Sequence, residues 1–516
     1  MARLVKLLRW GSLFLLLVLP PAFAAWVWTD GRSSRQESVV STIIVLGSAG
    51  ILLALWLLLL SGLRWRVRAA IVGAAAVAAA LGAGLLRIRG VTGDLVPVFE
   101  WRLGTRVESG GVPTAHRATV SPKQTWLDYP QFLGPGRNAT LDGVELSADW
   151  GRSPPRLVWR RPIGAGWSGF AVAGDSAFTQ EQRKDDEIVS CYGLLDGEPR
   201  WSHADPGRYE TTIGGVGPRA TPAVDAERVY ALGALGLLNC LDRPTGRLIW
   251  SRDAIAENGA HRNEWGMSRS PLLHGDLVII SAGGKDDRSL VAYRKATGEP
   301  AWHGGSARAG YSSPIAAELA GRTQVLVLNH GVATAHDPAT GKVLWEFPWP
   351  KDNPSPAQLL PIPGDRVLAS SGYGVGCALY KIARTSEGGL QADLLWKNLN
   401  LKAKFANSVR RGGFVFGLDD GILVCLDLET GARRWKAGRY GHGQLILAGG
   451  LLLVTAESGE VFLVRANPER HEELGSFRAL DAKTWNTPAF AAPYLLVRND
   501  QEAACYELPT AAPVTR

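Results

Sequence analysis

Basic and aromatic side chains recur at one position of a repetitive chain. Aligned on Ser/Thr-Pro pairs, eight segments read Trp167-Ser168, Arg219-Ala-Thr221-Pro222, Ser268-Arg269-Ser-Pro271, Tyr311-Ser-Ser-Pro314, Ala357-Gln358, Lys404-Phe405-Ala-Asn407, Tyr440-Gly-His442-Gly-Gln444 and Lys483-Thr-Trp485-Asn486. If each segment opens the inner strand of a ring-shaped fold, Arg219, Arg269, Lys404, Lys483 and His442 meet at one mouth. Trp167, Tyr311, Gln358, Asn407, Gln444, Trp485 and Asn486 join them. Glu264 is the nearest acid, and Glu181 lies in the neighbouring Gln180-Glu-Gln-Arg183. A cationic, aromatic-lined funnel suits an anionic ligand: a carboxylated quinone, a sugar acid, a phosphate or an acidic peptide. The same polarity would serve a merely water-filled channel, and His442, between two glycines, would serve as a turn residue. No acid placed for proton abstraction is evident, so no catalytic residue is assigned.

Such a mouth needs a closed ring of sheets, and the chain repeats in the required way. Leu423-Val-Cys-Leu-Asp427-Leu-Glu-Thr-Gly431-Ala-Arg-Arg-Trp435 is a strand, a tight turn and the next strand. Apolar alternation marks the strand, and Gly431 supplies the positive-φ turn position. The pattern returns at Cys240 to Trp250, Tyr293 to Trp302 and His336 to Trp345, and in degraded form at Cys191 to Trp201. Leu157-Val-Trp159 and Leu394-Leu-Trp396 keep only the last strand, and Phe477 takes the place of tryptophan once. Steps of 39 to 52 residues between these aromatics are the mark of a β-propeller of four-stranded blades.

Closure sets the blade count. After Phe477 only three strands remain, Trp485 to Phe490, Tyr494 to Val497 and Ala504 to Leu508, while Leu157 to Trp159 precedes the first full repeat. Together they make an eighth blade and remove two open sheet edges. The reading is an all-β, eight-bladed propeller over residues 149–508, with 509–516 as a disordered tail.

The remaining chain differs in kind. Residues 1–90 hold three apolar runs, Gly11 to Trp28, Val39 to Ser61 and Ala69 to Leu86, each near the length of a membrane span. Arg3, Lys6 and Arg9 precede the first, and Arg64, Arg66 and Arg68 fill the loop after the second. By the positive-inside rule both segments are cytoplasmic. Arg32 and Arg35, in the other loop, are accompanied by Asp30 and Glu37. The propeller is then expected outside the cytoplasm, on the periplasmic side of a bacterial inner membrane. The alternative, a cleaved signal peptide ending near Ala22-Phe-Ala24, puts it on the same side. Residues 91–148 are expected to be an extracytoplasmic linker with a short edge strand at Val96 to Trp101, a loose stretch at Gly110 to Lys123, and a segment at Asp128 to Gly136 that packs on the propeller.

Composition removes several functions. The 516 residues carry a formal charge of +8, but no basic run is interleaved with aromatics, so nucleic acid is not an expected partner. The five cysteines (191, 240, 377, 425 and 505) have no metal-ligand spacing and fall mostly at one repeat position, which separate sheets would hold apart. They are expected to be small buried apolar residues.

The Asp-x-x-Thr-Gly-x-x-x-Trp stretches at Asp242 to Trp250 and Asp427 to Trp435, with Tyr311-Ser-Ser-Pro314, resemble the pyrroloquinoline-quinone (PQQ) repeat propellers over about residues 125–508. Tyr129-Pro-Gln-Phe-Leu-Gly-Pro looks like the lead-in of their membrane-anchored bacterial members. The resemblance implies that Trp201, Trp250, Trp302, Trp345 and Trp435 dock each blade onto the next. It leaves two classes open: quinoprotein dehydrogenases, which bind PQQ and Ca²⁺ over the channel, and outer-membrane assembly propellers, which bind proteins without a cofactor. This chain lacks the adjacent cysteine pair of the enzymes, a Cys-x-x-Cys-His haem site and an evident Glu-Asn-Asp calcium set. A binding or scaffold module is therefore expected, with no evident cofactor and no metal; the rival is a PQQ-dependent alcohol or sugar dehydrogenase with a divergent site.

Overall fold

A computed structural model describes residues 2–29, 34–102 and 126–511. It divides into an N-terminal unit, Met1–Arg106, and a larger unit, Val107–Arg516.

The first unit contains helices α1 (Ala2–Thr29), α2 (Arg35–Leu59) and α3 (Trp65–Leu85). All three are long and apolar enough to cross a membrane. α1 runs through Pro20 and Pro21 without a break. A capping box starts α2: Glu37 N donates to Ser34 Oγ, and Ser34 N donates to Glu37 Oε2. At its other end the Arg68 guanidinium donates to Leu58 O and Leu63 O, placing positive charge where a helix leaves carbonyls unsatisfied. Tryptophan N–H groups join the first two helices, Trp28 to Thr42 Oγ1 and Trp56 to Ser12 Oγ, both at 3.0 Å. The expected edge strand is present as Pro97–Trp101, paired with Leu86–Val91 in a hairpin. Asp30 and Arg32 of the first loop lie outside the described residues, as does Gly110 to Lys123.

The second unit is an eight-bladed propeller. Six blades are consecutive four-stranded antiparallel sheets, at residues 171–206, 223–253, 272–304, 315–348, 360–398 and 409–439 (blades 1 to 6). Blade 7 spans 444–478 and carries a fifth strand, Thr140–Leu141, parallel to its innermost strand. Blade 8 joins three C-terminal strands, 489–507, to Arg156–Pro162, so the ring closes by pairing the two ends of the propeller chain.

The tryptophan ladder explains four of the five cysteines, all but Cys377, which faces Asn398. In the third strand of each blade one residue faces the ladder aromatic. Cys191 faces Trp201, Cys240 faces Trp250, Cys425 faces Trp435 and Cys505 faces Trp159. Alanine takes that place opposite Trp302 and Trp345. A small side chain leaves room for the indole, and a bulge follows each of these pairs. All five cysteines are buried and free.

The docking role also has a visible mechanism. The indole N–H of Trp201 donates to Arg243 O (2.9 Å), that of Trp250 to Lys295 O (2.9 Å), that of Trp302 to Pro338 O (2.9 Å) and that of Trp435 to Asn467 O (2.8 Å). Each acceptor lies in the turn of the next blade. The ring covers the turn glycine: a Cβ on Gly298 would stand 2.6 Å from Trp250. The glycine is required twice over, by its positive φ and by the indole. Trp345 departs from this pattern. Blade 5 has a longer hairpin in place of the Thr-Gly turn, and Trp345 Nε1 donates within its own blade to Gln324 Oε1 (2.6 Å). Its ring still joins the apolar cluster of blades 4 and 5, where Phe347 stacks on Tyr380 at 3.7 Å.

Both flanks of the blades are bonded to them, and residues 512–516 of the expected tail lie outside the described residues. Residues 126–148 belong to the propeller. Residues 509–511 are tied down, with Pro509 O accepting from Ser147 N and Ala511 N donating to Glu145 O.

Candidate functional site

The segment after Trp126 closes the propeller channel from one end. Trp126 and Leu127 bond to Gly174 O and Ala492 O, beside the first hairpins of blades 1 and 8. Tyr129 then exchanges both backbone hydrogen bonds with Val172, and Pro130 O accepts from Val224 N. Arg137 reaches furthest, donating to Ser270 O (3.1 Å) and Pro271 O (2.8 Å) of blade 3, while its own carbonyl accepts from Gln358 Nε2 of blade 5. Ala139 O accepts from Leu447 N, and the chain leaves along blade 7. One segment that meets the inner edges of blades 1, 2, 3, 5 and 7 must lie across the axis. The channel is therefore closed at this end, and the predicted mouth residues lie at the other, where the inner strands begin.

At that end the structure assembles a continuous wall from blades 1, 5, 6, 7 and 8. Trp167 and Trp485 stand 5.0 Å apart, and Lys483 Nζ lies 3.8 Å from the Trp485 ring centre and 4.8 Å from that of Trp167. Phe405 touches both Trp485 (5.2 Å) and His442 (5.6 Å). Lys404 Nζ lies over Tyr373 (4.7 Å) and Phe405 (5.8 Å). Ammonium groups over ring faces gain quadrupole attraction. Gln444 positions this wall, its amide donating to the carbonyls of Phe405 and Trp485.

A second group adjoins it. Trp167 Nε1 and Arg219 Nη2 donate to the same carbonyl, Gly214 O, at 2.7 and 2.8 Å. Arg219 Nε donates to Trp265 O (2.6 Å), and Trp265 packs on Tyr311 at 5.3 Å. Arg219 is thus a backbone clamp lying over Tyr209.

Other predicted residues take structural places. Arg269 is fully buried and turned inward, donating to Gly310 O (2.5 Å), so it contributes no surface to the funnel. Burial pushes its guanidinium down to about 10, and it stays charged at neutral pH. Glu264 is exposed beside Trp265, away from the lysine wall. Glu181 is fully buried at the ring closure, bonded to Arg183, Tyr192 and Gly164 N.

Two acids escape the inner-strand alignment. Glu457 accepts from Trp485 Nε1 (2.7 Å) and from His442 N (3.2 Å). Asp420 lies within electrostatic reach of His442 and Lys404, and burial raises its pKa. Both come from the second hairpin of a blade, Asp420-Gly421 and Glu457-Ser-Gly459, a position visible only when those hairpins are aligned with one another.

The side chains present do not fit a calcium-bound quinone. Asn407 Oδ1 accepts from Gln358 N (2.8 Å), and Asn486 Nδ2 donates to Gly166 O and Ser168 O, which leaves Asn486 Oδ1 as a lone buried amide oxygen with no carboxylate set around it. Among the described residues no group of three His, Cys, Asp or Glu side chains is placed to hold a metal ion. Calcium needs six to eight oxygens, several from carboxylates.

The repeat geometry has counterparts. The PQQ-repeat family model described as outer membrane protein assembly factor BamB matches residues 185–437. The matched stretch is built of PQQ-type repeats. A relative of this PQQ-repeat propeller, the outer membrane protein assembly factor BamB of Shewanella oneidensis, is 23% identical over 355 residues, 65% of this chain and 84% of that protein. The crystal structure of BamB from Moraxella catarrhalis superposes with a TM-score of 0.51 at 17% identity, covering 69% of this chain and 98% of that one. Quinohemoprotein alcohol dehydrogenase from Comamonas testosteroni gives 0.51 at 12% identity, over 75% and 82%. At these identities the structural likeness is one of fold, which both classes share.

Proposed function

We propose that this PQQ-repeat propeller is a binding scaffold held outside the cytoplasm, on the periplasmic side of a bacterial inner membrane, which takes a protein partner or small anionic ligand at its channel mouth. The observation that carries this reading is the mouth walled by Lys404 and Lys483 on aromatic faces. The amide N–H groups of Gln358, Gln444 and Asn486 hold the wall, and its donor set does not suit a metal-bound quinone. BamB-like relatives, named as assembly factors, support a scaffold more than an enzyme.

The test is titration of the full chain in detergent with galacturonate, inorganic phosphate and a short poly-glutamate. At least one should bind, and Lys404→Gln with Lys483→Gln should weaken it about ten- to a hundredfold. Binding that is absent, or indifferent to both changes, rejects the mouth. Turnover of an alcohol or sugar after reconstitution with PQQ and Ca²⁺ would instead establish the dehydrogenase reading.

The orientation rests on Arg3, Lys6, Arg9, Arg64, Arg66 and Arg68 facing the cytoplasm. Arg35, in the opposite loop, is neutralised by Asp94 at 3.0 Å. Protease added to spheroplasts should digest the propeller; full protection would place it inside.

A further inference from the structure

The geometry points to a second docking site on the same face, a cleft beside the mouth that takes an acidic peptide segment carrying an aromatic side chain. The inference rests on the scaffold reading and names one partner chemistry for it. The cleft has a volume of about 260 Å³ and lies among the loops entering blades 3, 4 and 5 and the second hairpin of blade 4.

Its walls are built in advance. Asn263 Nδ2 donates to both Ala309 O and Gly310 O at 3.0 Å, tying one loop to the next. Arg269 donates to the same Gly310 carbonyl from below. His330 N donates to Arg308 O (3.0 Å), and Trp349 N donates to Gly331 O (3.0 Å). A Cβ at Gly310 would stand 2.7 Å from Leu328 O, so that loop sits directly on the blade. Loops held this way need little ordering when a ligand arrives.

The lining selects the ligand. Trp265 and Tyr311, tilted by 35°, offer two half-buried aromatic faces for an inserted ring. Around them stand Arg262, Arg308 and Lys351, against Glu264 and Asp352. The three cations are exposed, and the side chains of Arg308 and Lys351 make no hydrogen bond or ion pair among the described residues. Exposed cations hold a single small anion weakly in water. Cations on three separate loops instead suit several carboxylates along one chain, with an aromatic anchor between them. A peptide meets both requirements.

The experiment is selection from a random dodecapeptide display library on the full chain in detergent. Enriched peptides should carry two or more acids flanking Trp, Tyr or Phe. Arg308→Glu with Lys351→Glu should weaken them about tenfold or more, whereas Lys404→Gln with Lys483→Gln should leave them unchanged. Both cleft positions are exposed, so an unchanged unfolding temperature will show that the variant is folded. No enrichment, enriched peptides without acids, or unchanged affinity in the cleft variant overturns the proposal. If the mouth variant alone loses peptide, the cleft is rejected while the scaffold reading stands.

Discussion

Replacing Arg498 by alanine should lower the unfolding free energy of the propeller by about 3–5 kcal/mol, the range for breaking a buried charge network. Arg498 lies on blade 8 and is fully buried. Its guanidinium donates to Thr179 Oγ1 (2.7 Å) and Gln180 O (2.9 Å) of blade 1, and to Gly164 O (2.8 Å) of the loop between the two blades. It therefore bolts blade 8 to blade 1, where the ring closes. Removing it strands those acceptors and takes one cation from Glu181. Burial acts to raise the Glu181 pKa, but Arg183 and Arg498 outweigh it and hold the carboxyl below its ordinary 4.5. That stabilisation is complete above pH 4.5 and fades as the pH falls through the lower folded value. Denaturant unfolding of the full chain in detergent, followed by tryptophan fluorescence, measures the loss. A shift under about 1 kcal/mol, the scale of one ordinary hydrogen bond, would mean that the joint does not depend on Arg498.

Raising the pH from 4.5 to 8 should cost the protein about 3 kcal/mol at one residue, Glu187. This carboxyl is buried on blade 1 and accepts from Ala234 N (3.1 Å) and Leu235 N (3.4 Å) of blade 2. Burial, with a smaller contribution from Asp205, pushes it from 4.5 to about 7. The folded state thus binds the proton more tightly than the unfolded one. Its contribution is most favourable below pH 4.5, declines between 4.5 and 7, and is lost above. Glu187→Gln keeps the acceptor and removes the charge, so it should stabilise the propeller at pH 8 and change little at pH 4.5. The stability difference between variant and parent, measured across that range, isolates the group from all others. A difference that does not vary with pH would show that Glu187 titrates normally.

The fold was legible because it is written locally. Each turn, with Asp427 and Gly431 before Trp435, is encoded within nine residues, and repetition multiplies a weak signal. The eighth blade followed from counting strands, since an open ring would expose two edges. The cysteines were placed by repeat position, although their pairing across from the indoles, as in Cys240 and Trp250, needed the register.

The site was only partly legible. Alignment of inner-strand entries found Trp167, Lys404, His442, Lys483 and Trp485, which do share one wall. It could not tell that Arg269 turns inward or that Arg219 clamps a loop, because a guanidinium that reaches several carbonyls goes where those carbonyls lie. It missed Glu457 and Asp420, which arrive from other hairpins. The channel plug was beyond it as well. Arg137 meets Pro271 and Gln358 across 134 and 221 residues, and no pattern in the chain marks such a meeting.

From its residues alone this protein reveals short-range matters: three greasy helices, a blade motif, its number of copies and the partners within each hairpin. Those follow from backbone geometry and the burial of alternate side chains, which act over a few residues. Folding in three dimensions settles which charges meet, which are neutralised and which end of the channel is closed. Those depend on distances between segments far apart in the chain, and electrostatic and hydrogen-bond energies are functions of distance.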